Sequence, residues 1–181
     1  MYVLPSENGH TDSPHIDDTT PEYLKFLAEK LGVKSVGLEY SFCGPAIPYM
    51  YEFWASKFPA YEGANKKPTS EEIISTYMAN READTLERKT VEYFIELYSS
   101  AICNFIVGHM CTGGLVLVGS LTIAVLDKLK ETNLTAKFNE RHPEMTKLVN
   151  KVPIVVSKEV DLGLRGAYVY ARRIIADGQH E

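Results

Sequence analysis

The residues best suited to chemistry fall in four short stretches. The first is Leu4-Pro5-Ser6-Glu7-Asn8-Gly9-His10, where a carboxylate, a glycine and a histidine sit within four residues on a loop. A carboxylate accepts hydrogen bonds from ligand hydroxyls such as those of a sugar, and a histidine donates or accepts one. Loop positions can present such groups to a ligand; on residue types alone, a solvated tail is the competing reading. The second is Leu38-Glu39-Tyr40-Ser41-Phe42-Cys43-Gly44-Pro45, an acid ahead of a Gly-Pro turn into a helix. There the competing reading is an exposed glutamate at a strand end, with the glycine serving turn geometry.

The third stretch, Gly113-Gly114-Leu115-Val116-Leu117-Val118-Gly119-Ser120-Leu121, has small residues at both ends of an apolar run. Small residues let a ligand approach the backbone closely. Ligands of α/β proteins bind outside the carboxyl ends of strands, which favours Gly119 and Ser120 for a nucleotide contact. Tight helix–strand packing explains the same glycines equally well. The stretch is neither a P-loop nor a dinucleotide fingerprint, since it lacks their glycine spacing and their lysine or acid. The fourth is Asp161-Leu162-Gly163-Leu164-Arg165-Gly166-Ala167. Its two glycines at a helix start suggest close packing beneath a site, and Arg165 reads as a phosphate contact or a surface residue.

The elements that must position these groups follow from periodicity. Thr20 is expected to cap a helix whose first residue is Pro21, with Gly32 ending it. Pro48 must lie in the first turn of a helix over 46–57. Thr69-Ser70-Glu71-Glu72 has the capping-box pattern and opens a helix to about Arg81. The apolar spacing of Val91, Phe94, Ile95, Tyr98, Ala101, Ile102 and Phe105 predicts a long helix over 84–110. Leu115–Val118 and Pro153–Ser157 read as strands apolar on both faces, hence buried and central. Helices over 122–131 and 163–176, with a polar helical stretch over 136–150, complete an α/β pattern with an expected parallel strand pair.

Composition narrows the function classes. The chain has 181 residues and a net charge of −5, with 45 % apolar and 24 % charged residues, as in an ordinary globular domain. Lysines and arginines are scattered, which argues against nucleic-acid binding. No apolar run approaches the roughly 20 residues of a membrane helix. The N-terminal stretch has neither the basic nor the apolar region of a secretory signal. Three cysteines, Cys43, Cys103 and Cys111, lack metal-type spacing and read as reduced cytosolic thiols.

The order of these motifs resembles the bacterial-type glucokinase family from about Leu4 to Arg173. That order is a Glu-x-Gly-His loop, a Glu before a Gly-Pro turn, a long helix, Gly-Gly with a strand and Gly-Ser, and a final Leu-Gly-Leu-x-Gly-Ala helix. The resemblance is weaker over 61–84 and 130–151, and it implies the hexokinase–actin–Hsp70 ATPase fold group. Residues 1–181 would then form a single helix-rich α/β domain, a partial large C-terminal domain with an incomplete sheet, and 1–18 would supply the sugar-site loop. The implied activity is ATP-dependent phosphorylation of glucose at its 6-hydroxyl, the first step of glycolysis, with Mg²⁺, in the cytoplasm. By the same resemblance Glu7, His10 and Glu39 hold the sugar, and Gly113, Gly114, Gly119 and Ser120 line the adenosine side. Ser120 stands where the family usually has a second glycine.

The family's phosphate loops and the Asn-Asp pair carrying its catalytic aspartate precede the Glu-x-Gly-His loop. No such pair and no Asp-Gly-Gly-Thr-type loop occurs in this sequence, so no catalytic residue is carried over. The chain alone is expected to be inactive, and its partners are expected to be glucose, ATP, and either a second copy or the missing half. The alternative is a non-catalytic, kinase-derived sugar-binding or protein-interaction domain. The segment after His10 has no cysteine before Cys43, which excludes the zinc motif of the related repressor-type sugar kinases.

Overall fold

A computed structural model of the chain describes residues 6–177. Leu4 and Pro5, which open the first motif, lie outside the described residues. Ten helices and two short strands follow in the order α1 (Thr19–Leu31), α2 (Leu38–Phe42), α3 (Ala46–Lys57), α4 (Ser70–Ala79), α5 (Leu86–His109), β1 (Leu115–Leu117), α6 (Ser120–Ala124), α7 (Leu126–Glu131), α8 (Ala136–Arg141), α9 (Thr146–Val149), β2 (Ile154–Val156) and α10 (Leu162–Asp177). The fold is helix-rich α/β, and its sheet is the expected parallel pair, with Leu115 opposite Ile154 and Leu117 opposite Val156.

Helix α5 is the spine. The Thr85 hydroxyl caps it by accepting from Arg88 N–H at 3.2 Å. Its first half, including Val91, Phe94 and Leu97, is buried against α1, α3 and α4 in a cluster rich in aromatic rings. Its second half, Ile102, Cys103 and Ile106, is buried in a smaller cluster with Leu117, Phe138, Val149 and Val152. Tyr98 and Leu134 touch both clusters. The spine ends at Met110, whose φ of 50° is left-handed without being glycine.

The Thr69–Glu72 capping box forms as expected: Thr69 Oγ1 accepts from Glu72 N–H at 3.2 Å, and Glu72 accepts from Thr69 N–H at 2.7 Å. At α1 the cap differs from expectation. The helix begins at Thr19, and Asp17 Oδ1 accepts from the N–H groups of both Thr19 and Thr20 at 3.0 Å. A carboxylate two residues upstream outcompetes the Thr20 hydroxyl, which is buried and accepts instead from Tyr93 at 3.2 Å.

Three further expectations are corrected. The segment around Glu39 is a short helix, not a strand end: Gly37 is extended and Leu38 turns into the core. The helix expected over 122–131 starts at Ser120 and kinks at buried Val125, where α6 meets α7, though the Leu129 N–H still donates to Val125. The two strands are buried on one face only. Leu117 packs inward, while Val116 and Val155, paired across the sheet, are 56 % and 53 % exposed, because α5, α8 and α9 cover a single side. No helix among the described residues is long and apolar enough to cross a membrane.

Candidate functional site

The first and second motifs meet. Residues Asn8–His10 form one 3-10 turn, closed by His10 N–H donating to Glu7 C=O at 2.9 Å. The Glu7 and His10 side chains lie 3.7 Å apart and are both exposed. The chain then pairs with the start of α2: Asp12 bridges Gly37, and Leu38 N–H donates to Thr11 C=O at 2.7 Å. This pairing lays Glu39 directly over Gly9. A Cβ at Gly9 would stand 2.9 Å from Glu39 Oε2, so the close approach depends on glycine.

Sequence reasoning missed what holds α2 in place. Buried Ser41 donates to Leu38 C=O at 2.7 Å and accepts from the Ser13 hydroxyl at 2.8 Å. Buried Tyr23 donates to Ser41 C=O at 3.0 Å, tying α2 to α1. Burial pushes the Tyr23 phenol far above its ordinary range, so it remains a neutral donor. Glu7, His10 and Glu39 therefore form an exposed edge of two acceptors and one donor–acceptor on a fixed frame. Such an edge suits a ligand rich in hydroxyls.

The third motif divides between the two ends of β1. Gly119 has a φ of 110° and, with Ser120, stands at the carboxyl end. There a crevice of about 300 Å³ opens between Val118, Gly119, Ser120, Glu159 and Gly163. Gly113 and Gly114 lie at the opposite end of the strand. Gly114 has a φ of 127°, and a Cβ there would meet Pro153 at 3.2 Å, so this glycine serves strand pairing. Gly113 has no close neighbour.

Ser120 also lines a second, larger cavity that was not anticipated. About 570 Å³ lies between α4 and α6, walled by Ile74, Met78, Leu121 and Ala124 and edged by Ser70, Glu71 and Ser75. Its floor includes Gly44 of the Gly-Pro turn, whose carbonyl accepts from the Ser70 hydroxyl at 2.7 Å. The signal available in sequence was the second face of α4: Ile74 and Met78 recur four apart, beside the fully packed Ile73–Tyr77 pair.

The fourth motif does not pack as expected. Nothing comes within 4 Å of a Cβ built on Gly163 or Gly166, because α10 stands clear of the sheet. Arg165 is exposed and paired with Glu159 at 3.0 Å. Among the described residues, no three His, Cys, Asp or Glu side chains gather closely enough to hold a metal ion.

Comparison with known proteins bears on the family and the fold. A family model described as Glucokinase matches residues 1–174. The glucokinase of Trichormus variabilis is 24 % identical, over 95 % of this chain and 54 % of its own length. That of Xanthomonas axonopodis pv. citri is 24 % identical, over 99 % of this chain and 50 % of its own. The crystal structure of a glucokinase from an Antarctic psychrotroph superposes with a TM-score of 0.70 at 24 % identity, covering 87 % of this chain and 47 % of that one. The chain thus spans about half the length of the curated relatives it matches.

Proposed function

The chain belongs to the glucokinase family, and from that premise we propose that it supplies the sugar-gripping and adenosine-side surfaces of an ATP-dependent glucose 6-kinase. The observation that carries this reading is the seating of Glu39 over Gly9, which joins two distant motifs into one hydroxyl-binding edge. Glu7 and Glu39 accept hydrogen bonds from sugar hydroxyls, and His10 adds a donor. Discrimination arises because a site built for several hydroxyls leaves polar groups unpaired when one is missing or turned away.

ATP is proposed to lie with its adenosine along Gly119 and Ser120 and its base in the α4–α6 groove. The groove volume falls within the usual range for small-molecule sites, and its apolar walls suit a flat purine with polar groups at the rim. The Ser120 hydroxyl sits on the boundary between groove and crevice. Gly44 links the two sites, since the turn that follows Glu39 forms the groove floor. Magnesium would neutralise charge on the transferring phosphoryl group. The described residues offer no cluster to hold it, so its protein ligands and the base that accepts the 6-hydroxyl proton are assigned to no residue here. What this chain contributes is position: holding reactants in line supplies a large share of catalysis in phosphoryl transfer.

The test is calorimetric titration with glucose, together with a coupled assay for glucose 6-phosphate. The expected pattern is glucose binding that Glu39→Gln weakens about tenfold, the scale of one charge-assisted hydrogen bond. Gly9→Ala should weaken it comparably while leaving the fold intact, because Glu39 can swing aside. Unchanged glucose affinity in both variants would remove the sugar-site assignment.

A further inference from the structure

A third cavity, apart from the sugar edge and the nucleotide groove, lies between α5, the α7–α8 connection and the loop that precedes α1. It holds about 210 Å³, below the roughly 300–1,000 Å³ of sites for drug-sized ligands, so it suits a small one. Ile16, Leu134 and Phe138 give it apolar walls, and Ser100, Asn133 and Arg141 stand among its polar groups.

Arg141 is the unusual member. Arg81, Arg88 and Arg165 each hold a carboxylate oxygen within 3.2 Å. Arg141 is fixed by neutral oxygens instead: it donates to the Ser100 hydroxyl at 3.0 Å, to Lys137 C=O at 3.2 Å and to His15 C=O. A guanidinium carries more N–H donors than these contacts use, and it stays charged. Its charge reaches the neighbouring Cys103 thiol, where it works against the larger, raising effect of burial. The carboxylate that lines the same cavity, Glu96, is held by Lys137 at 2.5 Å.

The remaining polar groups divide by sign. Ser100 is 95 % buried, and among the described residues its hydroxyl hydrogen has no acceptor. Asn133 turns its oxygen to the Thr135 N–H and hydroxyl at 3.2 and 3.0 Å, which leaves its amide nitrogen as a donor. Ser99 and Thr132 spend their hydrogens on the carbonyls of Ile95 at 2.6 Å and Lys128 at 2.8 Å, and so offer lone pairs to a ligand hydroxyl. One arginine, two neutral donors and two hydroxyl acceptors thus surround a short apolar space.

We propose that this cavity binds a small hydroxylated organic anion, of the class of a short-chain phosphate ester or hydroxy acid. The anionic head takes the remaining guanidinium N–H groups, a geometry that arginine offers to phosphate and carboxylate alike. Ser100 and Asn133 donate to the same head, its hydroxyl meets Ser99 or Thr132, and the carbon chain lies against Leu134 and Phe138. The proposal stands on this cavity alone and does not depend on the sugar-site reading.

The experiment is calorimetric titration of the full chain with glycerol 3-phosphate, with lactate and with neutral glycerol. At least one of the two anions is expected to bind at one site per chain, and glycerol is not. Tighter glycerol 3-phosphate marks a phosphate head and tighter lactate a carboxylate; either upholds the anion class. Arg141→Met should weaken binding at least about tenfold, the scale of a hydrogen bond to a charged group, and Ser100→Ala roughly threefold. Arg81→Met, which removes an arginine paired with Glu131, should leave it unchanged. Because Arg141 also steadies His15, circular dichroism checks the fold of that variant, and Ser100→Ala tests the site with the guanidinium in place. Four results would each overturn the proposal. They are no binding of either anion at millimolar concentration, equal binding of glycerol, affinity unchanged in both site variants, and displacement by ATP, which would move the anion to the nucleotide groove.

Discussion

The two halves of the molecule are packed to different depths. The helical block around α1, α3, α4 and the first half of α5 buries nineteen apolar residues among those described; the layer around the sheet and the second half of α5 buries seven. The block also nests Tyr23 edge-on against both Phe53 and Tyr93, with Trp54 against Tyr93. The thin layer has one such surface and leaves the other side of its sheet to solvent. The proposed sugar edge is anchored to the thick block through Tyr23 and Ser41, while the crevice at Gly119 belongs to the thin layer. The proposed grip on one substrate thus rests on the deeply packed block, and the proposed seat for the other on the thinner layer.

The sharpest way to break this contrast is to remove equivalent volume from each side. Ile73→Ala empties a site enclosed all round and should cost about 4–5 kcal/mol, the upper end of the large-to-small range, in denaturant unfolding. Ile106→Ala, in the smaller cluster, should fall near the lower end of the large-to-small range, about 2–3 kcal/mol, because its surroundings can relax toward the bare side. Equal losses would show the two cores to be equally tight.

Alkaline titration sharpens the same point. Burial raises the phenols of Tyr23, Tyr51 and Tyr93 in the block, Tyr51 to about 12, and raises the Cys103 thiol of the thin layer to about 11. Unfolded, these groups ionise near their ordinary values of 10.0 and 9.0; folded, they hold their protons. The folded state then binds more protons, so stability is full below pH 9 and declines as pH rises through 10 to 12. Thermal melts at pH 8, 9.5 and 10.5 should show this decline, and Tyr93→Phe should reduce it. In the same range Cys103 should be the last of the three thiols to alkylate.

Smaller effects mark the joint and the bare face. Met110→Gly relieves a left-handed residue at the end of the spine and should raise stability by up to about 1 kcal/mol. Val155→Thr, on the outer face, should change the free chain by no more than about 0.5 kcal/mol. A large loss there would mean that the outer face is already covered in solution.

Much of the helical block was legible in sequence because 3.6-residue periodicity, a capping box and Gly32 each act locally. The parallel strand pair was legible from the order strand, helices, strand, since a crossover of that length joins parallel neighbours. The burial of those strands was not, since an apolar run implies a cover on each side without saying whether this chain supplies it. The cap of α1 was misplaced because Asp17 and Thr20 are both competent acceptors, and only geometry selects the carboxylate. Glu7, His10 and Glu39 were legible as residues, and only the family resemblance grouped them; their spacing did not. Their meeting depends on Gly9 passing beneath Glu39 and on Gly37 pairing with Asp12, contacts that no spacing encodes. The α4–α6 groove arises only when two helices distant in sequence come together.

A single unbroken helix carries both cores, with no hinge between them. Local opening should therefore travel along α5 as a gradient rather than as two separate events. Amide hydrogens near Val91 to Leu97 should exchange only on global unfolding, and those near Ile106 to His109 through frequent partial opening from the C-terminal end.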